Sequence, residues 1–328
     1  MSFHTLDLAR WNRISIGLGG IVWLLIVLAR LFGWIVLDDL ELILLLALYA
    51  ITPLAVPLVS LPEKHRLLCD LADLVIFLQP LATFIGGASL LLGRGPLAAA
   101  AAVVWLLFTV LIALLGVMLL LQKSGRQLTH ASLAVALIYV PIGSTWLVLD
   151  RLGIRPLGFS QTTVLLTAVH FHFITLAALM ITGLTGRAIQ ATQRGVPWKI
   201  YRIMASCMLI DPLLVAAGIT ITQVTGMHSL ESVAAVLLAL CLILIALFNL
   251  RFIVPVTTPL RARGLLIFSS TAVVFTMLFA SAYALGAATR LWTITISQMI
   301  LVHGWVNALV FGLCGLLGWR LRREQGKE

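Results

Sequence analysis

Ten uninterrupted apolar stretches, close to residues 15–36, 40–61, 70–93, 96–121, 128–150, 161–185, 202–225, 231–254, 264–288 and 293–319, account for most of the 328-residue chain. A helix crosses the hydrocarbon core of a bilayer with about 20 apolar residues, and each stretch meets or approaches that length. Only 10% of the residues are charged and 61% are hydrophobic, whereas soluble domains carry about 25% charged residues. The chain therefore lacks the polar groups to cover a globule of its size in water. The runs are also too long and continuous for barrel strands, which alternate in polarity over about ten residues, and in lipid every backbone N–H and C=O must find an internal partner. The expected fold is all-α: a polytopic membrane helix bundle of about ten spans. It reads as a single integral membrane domain, with spans 1–6 over 15–185, a loop over 186–201, spans 7–10 over 202–319 and a basic tail over 320–328. No stretch is left for a soluble catalytic domain, so the first partner is the lipid bilayer.

Charge placement orients the bundle. With the N-terminus inside, 17 of the 22 Lys and Arg fall on the cytoplasmic side, while Arg30, Arg94, Arg151, Arg155 and Arg290 remain outside. Cytoplasmic loops carry the excess of Lys and Arg, so both termini are expected in the cytoplasm. The formal net charge of +10 then serves topology. Nucleic acid is not an expected partner, because the cations are scattered over loops and tails with no stacking platform beside them. The basic start, Met1 to Arg13, precedes a run longer than a signal-peptide core and without a small-residue cleavage pattern, so the first run reads as a retained helix. Trp34, Trp198, Trp292 and Trp319 stand near span ends, where indoles favour the interface. Cys69, Cys207, Cys241 and Cys314 show no CxxC spacing and indicate neither a disulfide framework nor a zinc ribbon. Gly195-Val-Pro197-Trp198 is expected in the cytoplasmic loop. Thr52-Pro53 in span 2 and Asp211-Pro212 in span 7 hold matching places in two five-span halves.

Ionisable groups within the membrane are costly, and each is a functional hypothesis by default. His170 in span 6 and His303 in span 10 both lie about 14–15 Å deep at 1.5 Å per residue. His172 follows two residues later, a step of about 200° around the helix, so one straight helix cannot aim both at a single ion. Neutral imidazole ligates haem iron, copper or zinc. Asn307 stands one turn beyond His303, while Gly304, Ala308, Gly312 and Gly315 offer a small-residue face for a second helix or a flat cofactor. Ala177, Ala178 and Gly183 do the same in span 6. Asp211 is a carboxylate well inside a span and precedes Pro212, which releases a carbonyl in the preceding turn. Gln79, beside Pro80, and Tyr139, before Pro141, are further candidates for a proton or substrate site, as are Gln298 and Tyr283. The plainer alternative for each is an interhelical hydrogen bond, a kink or helix packing. His4, His65, His130 and His228 fall at or beyond the interfaces.

The stretch Thr167-Ala-Val-His170-Phe-His172-Phe, with Met180-Ile-Thr-Gly183 and Gly186-Arg187, resembles the YndJ-like family of bacterial membrane proteins. So do Val302-His303-Gly304-Trp-Val-Asn307-Ala, Gly312 and Gly315-Leu-Leu-Gly318-Trp319, and the segment from Gln79-Pro80 to Trp105. The resemblance covers roughly 70–320 and implies a multi-pass protein of the bacterial inner membrane, in a family commonly labelled as transporters. His170-Phe-His172-Phe is also similar to the His-x-His helix of haem–copper oxidase core subunits, whose two histidines ligate different haems on opposite faces, and His303-Gly304 is similar to their low-spin-haem helix. The sequence has neither an adjacent His-His pair nor a histidine–tyrosine copper helix, so oxygen reduction is not implied.

Two functional expectations follow. In the first, the chain is a redox-related protein binding haem or a transition metal, with His303 and one of His170 or His172 as ligands and Asn307 supporting them. In the second, it is a proton-coupled transporter of a small-molecule, lipophilic or ionic substrate, in which His170, His303 and Asp211 exchange protons and proline-interrupted helices mark the substrate site. A membrane-embedded enzyme acting on a lipid or isoprenoid ranks third, since neither a diphosphate-binding carboxylate cluster nor a nucleophile elbow is visible.

Overall fold

In the computed structural model, residues 7–59, 61, 65–122, 127–190 and 195–325 are described. Lys64, Lys123, Arg126, Arg194 and Lys327 of the charge pattern, and His4, lie outside them. Among the described residues ten helices are long and apolar enough to cross a membrane. They are α1 Leu8–Leu31, α2 Asp39–Leu58, α3 Arg66–Leu91, α4 Pro96–Leu120 and α5 Leu128–Arg151, followed by α6 Gln161–Gln190, α7 Val196–Thr225, α8 Ser229–Val256, α9 Leu260–Thr289 and α10 Ile296–Glu324. Each coincides with one apolar run, and no strand occurs among the described residues.

Helix ends differ from the apolar boundaries where local chemistry extends them. Asp7 caps α1 by accepting from the Arg10 N–H at 2.9 Å, so residues 8–13 of the basic stretch are helical. Of the loop expected over 186–201, residues up to Gln190 belong to α6 and those from Val196 to α7, and 191–194 lie outside the described residues. Gly195, with φ +74°, precedes α7, and Pro197 occupies its first turn, a position where the missing N–H of proline has no helical partner to lose. Val196-Pro197-Trp198 thus belongs to a helix. The described part of the expected tail is helical as well, since α10 runs on through Arg320, Arg322 and Arg323.

The residues group into two compact units. The first holds Met1–Arg126, Ala134–Pro156 and Ser160–Leu176, and the second Gln127–Leu133, Leu157–Phe159 and Ala177–Glu328. Within the first, α2 is the central helix: 89% of its most apolar window is buried, against 17% for α1. Ala47–Ile51 of α2 forms a wide π turn, and the Thr52 hydroxyl donates to the Ala47 carbonyl at 2.9 Å. Pro53 has no N–H to offer the Tyr49 carbonyl one turn back, and Gly19 of α1 lies directly against that carbonyl oxygen, where any Cβ would collide. Within the second unit, Gly218 of α7 is equally closed, since a Cβ there would stand 2.6 Å from Glu231 Cα of α8. Lipid is as apolar as leucine, so such close backbone approaches and buried polar contacts take over the work of a hydrophobic drive.

Candidate functional site

The histidines of α6 divide as their angular separation requires: His170 is exposed at the molecular surface and His172 is fully buried. A carbonyl only accepts, so each imidazole donates from Nδ1 to its own helix, His170 to Leu166 at 3.0 Å and His172 to Ala168 at 2.8 Å. The second nitrogen of His172, Nε2, accepts from the Trp105 indole at 3.0 Å, with the two rings stacked at 21°. Gly143 of α5 lets the imidazole in, since a Cβ there would stand 2.7 Å from Nδ1. With both nitrogens engaged, His172 keeps no lone pair for an iron or copper ion in this arrangement, and its work here is to tie α4 to α6. Trp105 as its partner carried no signal in the sequence.

In the second unit, His303 and Asn307 both fasten to Thr276 of α9. His303 Nδ1 donates to the Thr276 carbonyl at 3.1 Å, and the Thr276 hydroxyl donates to Asn307 Oδ1 at 2.7 Å. This stretch of α10 is wound in wide π turns, Met299–Gly304 and Val306–Leu313, a feature found often at functional sites. The small-residue face of α10 receives α9: a Cβ on Gly315 would meet Ser269 Oγ at 2.6 Å, and Ser269 donates to the Phe311 carbonyl at 2.8 Å. A helix, therefore, occupies the lower part of the face. Trp319, expected at the interface, is buried.

Asp211 is the most unusual side chain of this unit. It lies midway along α7 and is fully buried, yet neither carboxylate oxygen has a hydrogen-bond partner. The Cys241 thiol of α8 lies within electrostatic reach of both Asp211 and Cys207. Gln79 and Tyr139 belong to the first unit. Gln79 is fully buried on α3, reaches Ser15 Oγ through Nε2 at 3.5 Å, and leaves Oε1 without a partner. Tyr139 stands half-buried at the break in α5 just before Pro141. Among the described residues, no three His, Cys, Asp or Glu side chains are grouped so as to hold a metal ion.

A buried ion-pair cluster in the first unit was not foreseen. Asp150 and Arg151, the last residues of α5, are 0% and 1% exposed. Arg151 Nε donates to Asp150 Oδ2 at 2.7 Å, a second nitrogen of the same guanidinium also reaches that oxygen, and Nη2 reaches Glu41 Oε1 at 3.0 Å. Arg94 Nη2 and Gln161 Nε2 reach Asp150 Oδ1 at 3.3 and 2.5 Å. The other oxygen of Glu41 accepts from the Asp38 N–H at 3.0 Å, completing a capping box at the start of α2. Two cations thus meet two anions, and α2, α5, α6 and the turn between α3 and α4 are laced together at one end. Arg151, counted among the outer charges, is neutralised inside the protein by Asp150 and Glu41. The one available signal was the capping pattern Asp38-Asp-Leu-Glu41, which brings a second carboxylate to that end of the unit.

No solved structure matches the chain. The protein named "Uncharacterized membrane protein YndJ" of Bacillus subtilis (strain 168) is 28% identical over 282 residues, which cover 86% of this chain and 48% of that relative. The chain accordingly spans about half the length of the curated relative it matches. A family model described as YndJ-like protein matches residues 42–311, a range that holds Arg94, Asp150, Arg151 and Gln161 of the buried cluster but not Glu41, together with Asp211 and all three intramembrane histidines. This chain is an integral membrane protein and belongs to the YndJ-like family.

Proposed function

We propose that the chain is a proton-coupled transporter of the bacterial inner membrane, with both termini in the cytoplasm and Asp211 as the group that takes up and releases the coupling proton. The observation that carries this reading is a fully buried aspartate with both oxygens unpartnered, midway along a helix that contains a proline. An ionised carboxylate in such surroundings is several kcal/mol worse off than in water unless a counter-charge joins it. No described donor reaches either oxygen, and a proton taken from solution is the charge that balances it in this reading. A carboxyl kept solely for packing gains nothing from this position; one that must be emptied and refilled gains readiness. His303 and Asn307, fastened to Thr276 of the same unit, are the accompanying polar groups.

Dicyclohexylcarbodiimide attacks protonated carboxyls inside membranes, and its adducts are located by mass spectrometry. The expected result is modification at Asp211 that declines as pH rises; no adduct at any pH overturns the reading. Inverted vesicles supply the functional arm. A panel of small amines, acids and lipophilic cations is added to vesicles holding a pH gradient, and a substrate is recognised by partial collapse of that gradient. The collapse is expected with the wild type and absent with Asp211→Asn, and an unchanged response in the variant also sinks the proposal.

A haem or transition-metal protein is the second reading, and the geometry of His303 favours it: a ring held through Nδ1 by a backbone carbonyl is oriented as metal-bound histidines are. A Soret band or stoichiometric metal in the purified protein, lost in His303→Ala, would move this reading ahead of the first.

A further inference from the structure

The second unit contains a set of buried donors that neither the ion-pair cluster nor Asp211 involves. Trp319 is 4% exposed, and its indole N–H has no acceptor. On the next residue, Arg320 donates from Nε to Glu324 at 3.1 Å, while its Nη1 is buried without a partner. Arg323 lies one turn beyond Trp319 on the same face of α10. Arg187, near the end of α6, is within electrostatic reach of Arg323, and His130 of α5 is within reach of Arg187. Arg322 stacks over the Trp319 ring at 5.1 Å. Arg187 and Arg323 thus come within reach of one another and Arg322 covers the Trp319 ring, at the end of α10 that also carries Arg320 and Glu324.

Helix C-termini attract cations, and that alone accounts for arginines in the last turns of α6 and α10. It does not account for the orphan donors. If the dipole were the whole explanation, Arg320 Nη1 would close on a terminal carbonyl, and a buried indole N–H would have found an acceptor, because an unsatisfied buried donor is destabilising. Donors of this kind, together with several fixed cations, match a group with many acceptor oxygens and negative charge. Guanidinium is the side chain whose fork fits phosphate. The positive-inside rule puts this end in the cytoplasmic leaflet, where phosphate is presented by anionic lipids and by soluble metabolites.

We propose that Arg187, Arg320, Arg323 and Trp319 form a binding site for a phosphate group at the cytoplasmic end of the second unit. The site is independent of Asp211 and of the transport reading. Two sources share this chemistry, an anionic phospholipid headgroup and free phosphate. The test uses the full chain in detergent, with thermal unfolding and native mass spectrometry as readouts. Phosphatidylglycerol is compared with phosphatidylcholine, and inorganic phosphate with chloride at equal ionic strength.

A midpoint raised by phosphatidylglycerol, with retained lipid adducts, supports the site with lipid as its source. A rise with inorganic phosphate alone supports the site with a soluble anion as its source. In the double variant Arg320→Gln/Arg323→Gln, retention is expected to fall roughly tenfold or more, as loss of hydrogen bonds between charged groups implies. Trp319→Phe removes the indole donor while keeping the ring, and a smaller loss is expected. No response of the wild type to either probe overturns the proposal, as does a response that the double variant leaves unchanged. The wild-type titrations decide the matter even if a variant does not fold.

Discussion

Asp150 and Asp211 are the same residue type with the same exposure, 0%, and they sit in opposite circumstances. The first is saturated: Arg151, Arg94 and Gln161 all donate to it. The second has no donor at all. Burial by itself therefore does not distinguish a structural carboxylate from a working one; the count of partners does. Asp150 is tied on several sides, and the end of the first unit depends on those ties. Asp211 is tied to nothing and can change its charge without breaking anything.

The sharpest way to break this contrast is to remove each carboxylate in turn. Asp150→Ala leaves Glu41 as the only carboxylate described on the buried Arg151 and is expected to lower stability by about 3–5 kcal/mol, the range seen when one partner of a buried ion pair is deleted. Asp211→Asn is expected to change stability by less than about 1 kcal/mol in either direction, as no interaction is lost. Unfolding in mixed detergent micelles measures both. If Asp211→Asn proves as damaging as Asp150→Ala, Asp211 is a structural residue and the comparison fails.

Smaller effects sharpen it. Trp105→Phe leaves the buried Nε2 of His172 without its donor and is expected to cost about 1–3 kcal/mol, the usual penalty for an unsatisfied buried group. Thr276→Val removes the hydroxyl bonded to Asn307 but keeps the carbonyl bonded to His303, so a loss of about 1 kcal/mol is expected. The least effect belongs to Asp70→Asn. Its partner Arg66 is 3.9 Å away, and both side chains are largely exposed, at 63% and 90%, so the change should fall within experimental error. The same chemical pair thus spans the whole range of effects, according to where water can reach it.

The ten helices were legible because an apolar run of about 20 residues admits few alternatives. The opposed directions of His170 and His172 followed from the rotation per residue alone. Asp211 was legible as a carboxylate within a span, although its isolation was not, since that depends on which residues α8 brings opposite. The ion-pair cluster was hidden for two reasons. Arg151 ends its helix, where a charge looks like a loop charge, and its partner Glu41 is 110 residues away in sequence. The Trp105–His172 bond was hidden in the same way, joining residues 67 apart. Periodicity reports which face of a helix is apolar, but not which distant face it meets.

The π turns have a consequence for how the chain tolerates change in length. A π turn holds one residue more than an ordinary turn, and in α10 such turns run through Met299–Gly304. Deleting a single residue between Met299 and Val302 would let the helix relax to its normal winding and leave everything beyond in register with α9, while the same deletion in the regular helix of α7 would swing all that follows by about 100°. The stretch around His303 is thus a place in α10 where a one-residue gap can be absorbed, and with it the angle at which that imidazole stands can be reset.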